Sequence, residues 1–228
     1  TLPIILPYIE FYSGEIINNK FKYNNSLEFY NIMRDSASGI HAKSQRKASS
    51  MINIKKEFIK YSSKINFETK IYNQFFYTEN KQIDNKFVTS NYFRSFPIFG
   101  ITAKTPFKIK NLKSDLTYTP GLKLVIAPGI SNSNKLSNED SSISSYTIQN
   151  NKNLNRYSGT DKLDNSKRID LSLNIKNDIF DGTILSSYEF TNNSNFHYTQ
   201  GNEKKLSDFL GEFIFNNSEY TASYGLRF

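Results

Sequence analysis

The residues of this chain that could carry out chemistry are few and scattered. The two histidines, His41 and His197, lie far apart, and the 228 residues include no cysteine. Neither histidine has a second ligand at a spacing that suggests zinc. Glu139 and Asp140 could act as paired carboxylates, but adjacent side chains normally diverge and a loop carboxylate is normally solvated. The sequence therefore predicts a protein that is not an enzyme and that uses no cofactor or metal.

The net charge of +8 comes from 29 basic and 21 acidic residues. A nucleic-acid-binding domain typically gathers its basic residues into a patch or stripe. Here they are dispersed through alternating stretches, so we expect no nucleic-acid partner.

The elements that must position the polar residues are strands. From Ile65 to Tyr77 the odd positions are mostly apolar and the even positions mostly polar, and the same alternation returns at 116–126, 168–176 and 220–228. Such alternation predicts strands with one apolar and one polar face. No window reaches the roughly 18 apolar residues of a membrane-spanning helix. The predicted fold class is all-β, an antiparallel sheet of about ten to twelve strands.

The strand lengths bear on whether the apolar face meets a protein core or lipid. The alternating stretches run about 9 to 11 residues, the length that crosses a bilayer at a tilt. Aromatic residues gather near strand ends, as in Phe75-Phe76-Tyr77 and Tyr92-Phe93. These features favour a transmembrane β-barrel, whereas periodicity alone also allows a soluble β-sandwich.

The segments between strands differ in length. Asn18-Asn19, Asn24-Asn25, Asp181-Gly182 and Asn216-Asn217 are predicted to form tight turns, because Asn, Asp and Gly tolerate positive φ. The polar segment 131–166 is too long for a turn. In an outer-membrane barrel it would be an extracellular loop, although a surface loop of any β protein could have its composition. Pro97 and Pro120 should lie at strand ends, edges or bulges.

A family resemblance is carried by two motifs and the strand after them. The motifs are Asn138-Glu-Asp-Ser141 and Asn155-Arg-Tyr-Ser-Gly-Thr-Asp-Lys162, and the alternating strand runs from Arg168 to Lys176. Strands entered through proline and the segment Leu206-Ser-Asp-Phe-Leu-Gly211 stand in a matching order. The chain resembles the C-terminal barrel domain of the LptD (OstA) family of lipopolysaccharide-assembly proteins. The resemblance implies that residues 1–228 are a fragment of that domain, a partial wall of a larger barrel.

The resemblance also implies a location, an activity and partners. We expect a protein of the cell outer membrane that inserts lipopolysaccharide (LPS) into the outer leaflet. Its expected partners are LPS, outer-membrane lipids, an LptE-like lipoprotein plug, and a periplasmic Lpt bridge that would be contacted through an N-terminal domain outside this sequence. The residues expected to organise the long loop are Asn138, Glu139, Asp140, Arg156, Gly159, Asp161 and Lys162.

The polar face of the predicted strands carries candidate lumen cations. They could attract the phosphates and carboxylates of LPS, or they could simply be solvated. The candidates are Lys70, Lys123, Arg168, Lys176 and Arg227. Two other protein classes remain open, a diffusion porin or receptor barrel and, third, a soluble β-sandwich structural protein.

Overall fold

The residues that the structure describes form one antiparallel sheet of twelve strands and one short helix, α1 (Ile148–Lys152). The computed structural model describes residues 3–38, 40–110, 115–142, 146–191, 205–217 and 219–228. The strands are β1 (Ile4–Tyr12), β2 (Ile16–Asn18), β3 (Phe21–Met33), β4 (Ser44–Lys60), β5 (Ser63–Ile83), β6 (Lys86–Lys104), β7 (Phe107–Ile109), β8 (Leu116–Ile126), β9 (Lys167–Lys176), β10 (Phe180–Glu189), β11 (Leu210–Asn216) and β12 (Thr221–Arg227). In the described part, no helix is long and apolar enough to cross a membrane. The predicted fold class is confirmed.

The strands follow one another across the sheet in nearly sequential order. The order is β1-β3-β4-β5-β6-β8-β9-β10-β11-β12, with β2 pairing to β3 and β7 to β8. Among the described residues β1 and β12 do not pair, so the sheet is an open wall with two free edges. This arrangement agrees with the predicted partial barrel wall.

The two faces of the sheet differ in what covers them. The connection between β8 and β9, residues 127–166, folds over one face, which we call the inner face; the connection is called the β8–β9 loop. Phe96 and Ile98 are buried beneath it, while Phe99 and Leu171 on the outer face are 50% and 55% exposed. All twelve described strands belong to one sheet, whereas a β-sandwich consists of two packed sheets, so the β-sandwich alternative is wrong.

The two ends of the sheet also differ. At the loop end lie the β3–β4, β5–β6, β8–β9 and β10–β11 connections; at the turn end lie short connections such as Tyr61-Ser62, both with positive φ. The turn predicted at Asn18-Asn19 is present one residue later, since Asn18 ends β2 and Asn19 and Lys20, both with positive φ, form the turn. Asn24-Asn25 and Asp181-Gly182 instead lie within β3 and β10, so those two turn predictions are wrong. Pairing with neighbouring strands overrides the local turn preference there.

Pro97 and Pro120, the two prolines predicted to lie at strand ends, edges or bulges, stand where a ladder hydrogen bond is dispensable. Pro120 stands where β8 changes partner, between Gly121, which pairs with β6, and Tyr118, which pairs with β7. Pro97 lies beyond Phe99, the last β6 residue that pairs with β8. Both positions fit the rule that proline is confined to edges and irregularities of a sheet.

Candidate functional site

The β8–β9 loop is a folded structure attached to the inner face. Its two ends meet at a backbone hydrogen bond of 2.9 Å from Ala127 N to Ser166 O. Leu154 and Leu163 are buried in one cluster with Phe96 and Ile98 of β6. Burial of these apolar side chains favours the closed position by the hydrophobic effect. The long polar segment that the sequence indicates is therefore anchored by its few leucines.

One ion-pair network, the Lys47 network, joins the loop to β3 and β4. The Lys47 ammonium lies 3.0 Å from a carboxylate oxygen of each of Glu28, Asp140 and Asp161. The Tyr30 hydroxyl donates to Asp161 at 3.1 Å. Lys47 itself is fully buried, whereas the Glu28 and Asp140 side chains are 22% and 28% exposed. Water therefore reaches one side of this network.

Asp140 and Asp161 hold two stretches of the loop together reciprocally. The Asp140 carboxylate accepts from Thr160 N at 3.0 Å and Asp161 N at 2.8 Å. The Asp161 carboxylate in turn accepts from Glu139 N at 2.7 Å. Gly159 allows this approach, because a Cβ there would collide with the backbone oxygen and carboxylate of Asp140.

The remaining residues of the two motifs close turns around this pair. Asn138 donates to Ser141 O at 2.6 Å and accepts from Ser141 N at 3.1 Å. Lys162 is held by its backbone N–H, which donates to the Ser141 hydroxyl at 2.9 Å. Within the described residues the Lys162 side chain makes no ion pair.

The pKa values of the two aspartates are shifted in opposite directions. Burial raises the pKa of Asp161 above its usual range, and the neighbouring Asp140 adds to this while Lys47 opposes it. Burial acts the same way on Asp140, but Lys47 and the backbone hydrogen bonds from Asp161 and Thr160 outweigh it and lower the pKa of Asp140. Asp140 is therefore the firmly ionised partner of Lys47.

A second network, the Arg156 network, joins the loop to β9 and β10. Arg156 pairs with Asp164 and with Glu189, and Arg168 lies 3.2 Å from Asp164 and 3.1 Å from Asp170. The side chains of all five residues are at most 4% exposed. Burial alone would lower the pKa of Arg156, but Asp164 and Glu189 raise it, so this guanidinium stays charged. Positive and negative groups alternate along the network.

Glu139, which the sequence suggests as a solvated loop carboxylate, is buried. Its side chain is 3% exposed and pairs with Arg34, and His41 Nδ1 lies 3.5 Å away. Glu139 and Asp140 do diverge toward different partners, as adjacent side chains were expected to. The expected solvation is wrong because the β3–β4 connection covers Glu139. His197 lies outside the described residues.

The candidate lumen cations all lie on the inner face by strand register, in very different surroundings. Arg168 is buried among carboxylates, as described above. Lys123 donates to the Asn151, Lys152 and Asn153 carbonyls at 2.9–3.0 Å, at the C-terminal end of α1. Lys70 lies 3.9 Å from Glu68. Lys176 and Arg227 are more exposed and pair with Asp181 and Asp208.

Below the loop, toward the turn end, the inner face encloses a cavity of about 500 Å³. Its roof is formed by Ile148, Asn151 and Lys152 of α1. Its walls come from β4–β6 and β8–β10 and are largely polar, with Lys64, Lys104 and Lys123 beside Glu57, Glu68 and Asp170. The cavity is a charged compartment between the wall and the loop.

Sequence reasoning missed the strand partners of the loop. Lys47 and Arg94 are the main ones; Arg94 donates to Thr160 O at 2.7 Å, to Asp161 O at 2.8 Å and to Asn132 Oδ1 at 3.0 Å. Both lie on the polar face of alternating strands. The alternation alone does not distinguish them from the other polar residues of that face. Only the register brings them beneath the loop.

A single antiparallel wall with an exposed apolar outer face and a polar inner face defines the class of outer-membrane β-barrel proteins. The sequence model of the LptD family, described as LPS transport system D, matches residues 5–225. The chain therefore belongs to the LptD family, whose proteins act in LPS transport and assembly at the outer membrane. A comparison with curated proteins finds no match.

Proposed function

We propose that this chain is part of the barrel wall through which LPS is inserted into the outer leaflet of the outer membrane. The family match over residues 5–225 carries the proposal. An inner face with charged groups and an outer face with exposed apolar groups suits a substrate that has a phosphorylated sugar head and acyl chains.

The proposal assigns residues 1–228 to the C-terminal barrel domain of the family. The free edges of β1 and β12 support it, because unpaired backbone N–H and C=O groups are very unfavourable in lipid. Further strands would complete the wall at both edges. We assign the loop end to the cell exterior, since outer-membrane barrels have short periplasmic turns and longer extracellular loops.

In this proposal the seven motif residues keep the β8–β9 loop closed over the wall, and the cavity beneath α1 borders the path of the LPS head group. Lys123 contributes both to the cavity wall and to the support of α1. Arg168 is fully paired within the Arg156 network, so its role is to hold the loop. Lys70, Lys176 and Arg227 would add positive potential along the inner face.

The proposed partners are those that the family resemblance implies. An LptE-like lipoprotein would fill the barrel next to the loop, a periplasmic Lpt bridge would deliver LPS, and lipids would cover the outer face. The diffusion-porin alternative accounts for the alternation but not for the family match.

Photo-crosslinking in cells tests the transport route. A crosslinking residue at Thr102 or Thr183 lies on the cavity wall, and one at Leu171 serves as the outer-face control. We expect LPS adducts at Thr102 and Thr183 that disappear when delivery from the periplasm is stopped, because only LPS in transit reaches the inner face. Adducts at Leu171 should persist, since that residue faces the finished leaflet. Inner positions without adducts during active transport would contradict the proposed route.

A further inference from the structure

A groove runs along the outer face near the loop end. It has a volume of about 440 Å³, and Ala48 and Ser50 of β4 form its floor. Leu27 and Phe29 of β3 stand on one side and Phe75 of β5 on the other. The groove exists because two small side chains lie between rows of large ones. Its lining is predominantly apolar, which suits a hydrocarbon chain.

A positively charged group lies directly beyond the groove, toward the loop end. Arg46 is one alternation step from Ala48, and its guanidinium carbon lies 5.4 Å from the centre of the Tyr77 ring. Asn91 pairs with Tyr77 on the next strand, and the three side chains line one depression. Arg46 is exposed, and within the described residues no carboxylate lies at ion-pair distance from it. The ring holds this cation in place without neutralising it.

The spacing of charges along β4 places Arg46 at the membrane interface. The next charged residue on the outer face of this strand is Lys56, ten residues away, whose ammonium lies 4.5 Å from the centre of the Phe21 ring. Ten residues span about 33 Å at about 3.3 Å each, which at a tilt of about 40° gives a height of about 25 Å. That is the height of the apolar band of an outer-membrane barrel, about 25 Å. Arg46 and Lys56 thus mark its two borders.

We propose that this surface is a docking site for the phosphorylated lipid part of LPS, with a phosphate on Arg46 and an acyl chain in the groove. The choice of lipid rests on the proposed function, which makes the loop end the exterior side and LPS the anionic lipid delivered there. A planar guanidinium suits a phosphate because it can donate two parallel hydrogen bonds. The site lies on the outer wall, separate from the inner face, and would hold LPS that has already arrived.

Native mass spectrometry of the complete protein released from lipid nanodiscs tests the site. The nanodiscs contain phosphorylated LPS, the same LPS after enzymatic dephosphorylation, or phosphatidylglycerol. Arg46→Gln removes the charge, Ala48→Phe fills the groove, and Lys56→Gln is the matched control at the opposite border. Arg46→Lys keeps the charge, and heat-modifiable migration on a gel verifies that each variant is folded.

We expect Arg46→Gln to lower retained phosphorylated LPS about tenfold, as expected for the loss of a charge-assisted contact. Ala48→Phe should also lower it, because the filled groove no longer accepts an acyl chain. Lys56→Gln should change little, and Arg46→Lys should retain more than Arg46→Gln. Dephosphorylated LPS should be retained weakly by every form. Equal retention by wild type and Arg46→Gln, equal retention of phosphatidylglycerol, or a dimer that Ala48→Phe abolishes would each overturn the site.

The site and the proposed function fail separately. A protein that still delivers LPS to the cell surface but shows no Arg46-dependent retention would overturn the docking site alone. A protein that retains LPS as expected but gives no transport-dependent adducts on the inner face would contradict the proposed route alone.

Discussion

The Arg156 network and the Lys47 network fasten two sides of the same loop, but they stand in different surroundings. The charged side chains of the Arg156 network are at most 4% exposed, and its two arginines alternate with three carboxylates. In the Lys47 network one lysine faces three carboxylates, two of which reach water.

The difference shows two ways of keeping charge stable in a protein. Where water is excluded, each charge needs an opposite charge in contact, because desolvation costs several kcal/mol per ion. Where water enters, solvent screens the excess, so a single cation can serve three anions. The dry network should therefore be the more sensitive of the two to the loss of one member.

The largest effect is expected from Arg156→Met, which removes a buried charge at similar volume. Asp164 would still pair with Arg168, but Glu189 would lose its only described cationic partner. We expect the free energy of loop opening to fall by about 3–5 kcal/mol, the usual cost of stranding a buried charge. Hydrogen–deuterium exchange of residues 155–165 in nanodiscs measures it. Lys162→Met is the control, because it keeps the backbone N–H of residue 162 that bonds to Ser141. Adding Glu189→Met to Arg156→Met should restore part of the loss. Equal exchange in Arg156→Met and Lys162→Met would refute the prediction.

Gly159→Ala disrupts the reciprocal hydrogen bonding of Asp140 and Asp161 without removing a charge. The new Cβ would collide with Asp140, so the two stretches of the loop must separate. The expected loss is about 1–3 kcal/mol, as for overpacking. Gly225→Ala is the control, because a Cβ there meets nothing within 4 Å. If both substitutions proved equally mild in the same exchange measurement, close approach at Gly159 would not matter.

Lys47→Met breaks the Lys47 network, which water reaches on one side. Glu28 and Asp140 are partly exposed and stay in contact with solvent, so only Asp161 is left buried without its cation. We expect a loss of about 1–2 kcal/mol in loop opening, near the cost of one unsatisfied buried group. A loss equal to that of Arg156→Met would mean that solvent access does not separate the two networks.

The smallest effect on loop opening is expected from lowering the pH. The lowered pKa of Asp140 contributes stability that is present above the usual carboxyl value of 3.8 and is lost as the pH falls through the folded pKa. The raised pKa of Asp161 has the opposite sign, since protonation relieves its burial. Mild acid should therefore leave the loop closed, with opening only at lower pH.

Loop protection measured against pH tests this balance. Asp140→Asn should make loop protection depend less on pH in acid. It should also lower loop protection at neutral pH, because the amide is a weaker partner for Lys47. A wild-type loop that opens already in mild acid would contradict the prediction.

The sequence predicted the wall better than the contacts upon it. Alternation at residues 168–176 places Arg168 and Asp170 on one face and Leu171 on the other, because side chains point to opposite faces with period two. The same rule cannot select Lys47 from the other polar-face lysines, since its loop partners Asp140 and Asp161 lie about a hundred residues away and are brought near by the register of several strands. Arg156 and Asp161 were named from their motif, whereas Asp164 and Glu189 carried no local signal. The Asn24-Asn25 turn failed for a related reason, because a strand partner on each side outweighs the preference of two residues.

The unequal length of the strands has a consequence for what the cell surface displays. β5 continues from Tyr77, which lies beside Arg46 at the proposed membrane border, to Ile83, and positive φ at Asp84 and Asn85 turns the chain back into β6. Six residues rise by about 15 Å at a tilt of about 40°. In the proposed orientation, with the loop end outside the cell, this hairpin would stand above the lipid among the surface sugars. We expect it to be the first part of the described wall that an antibody or a bacteriophage would meet.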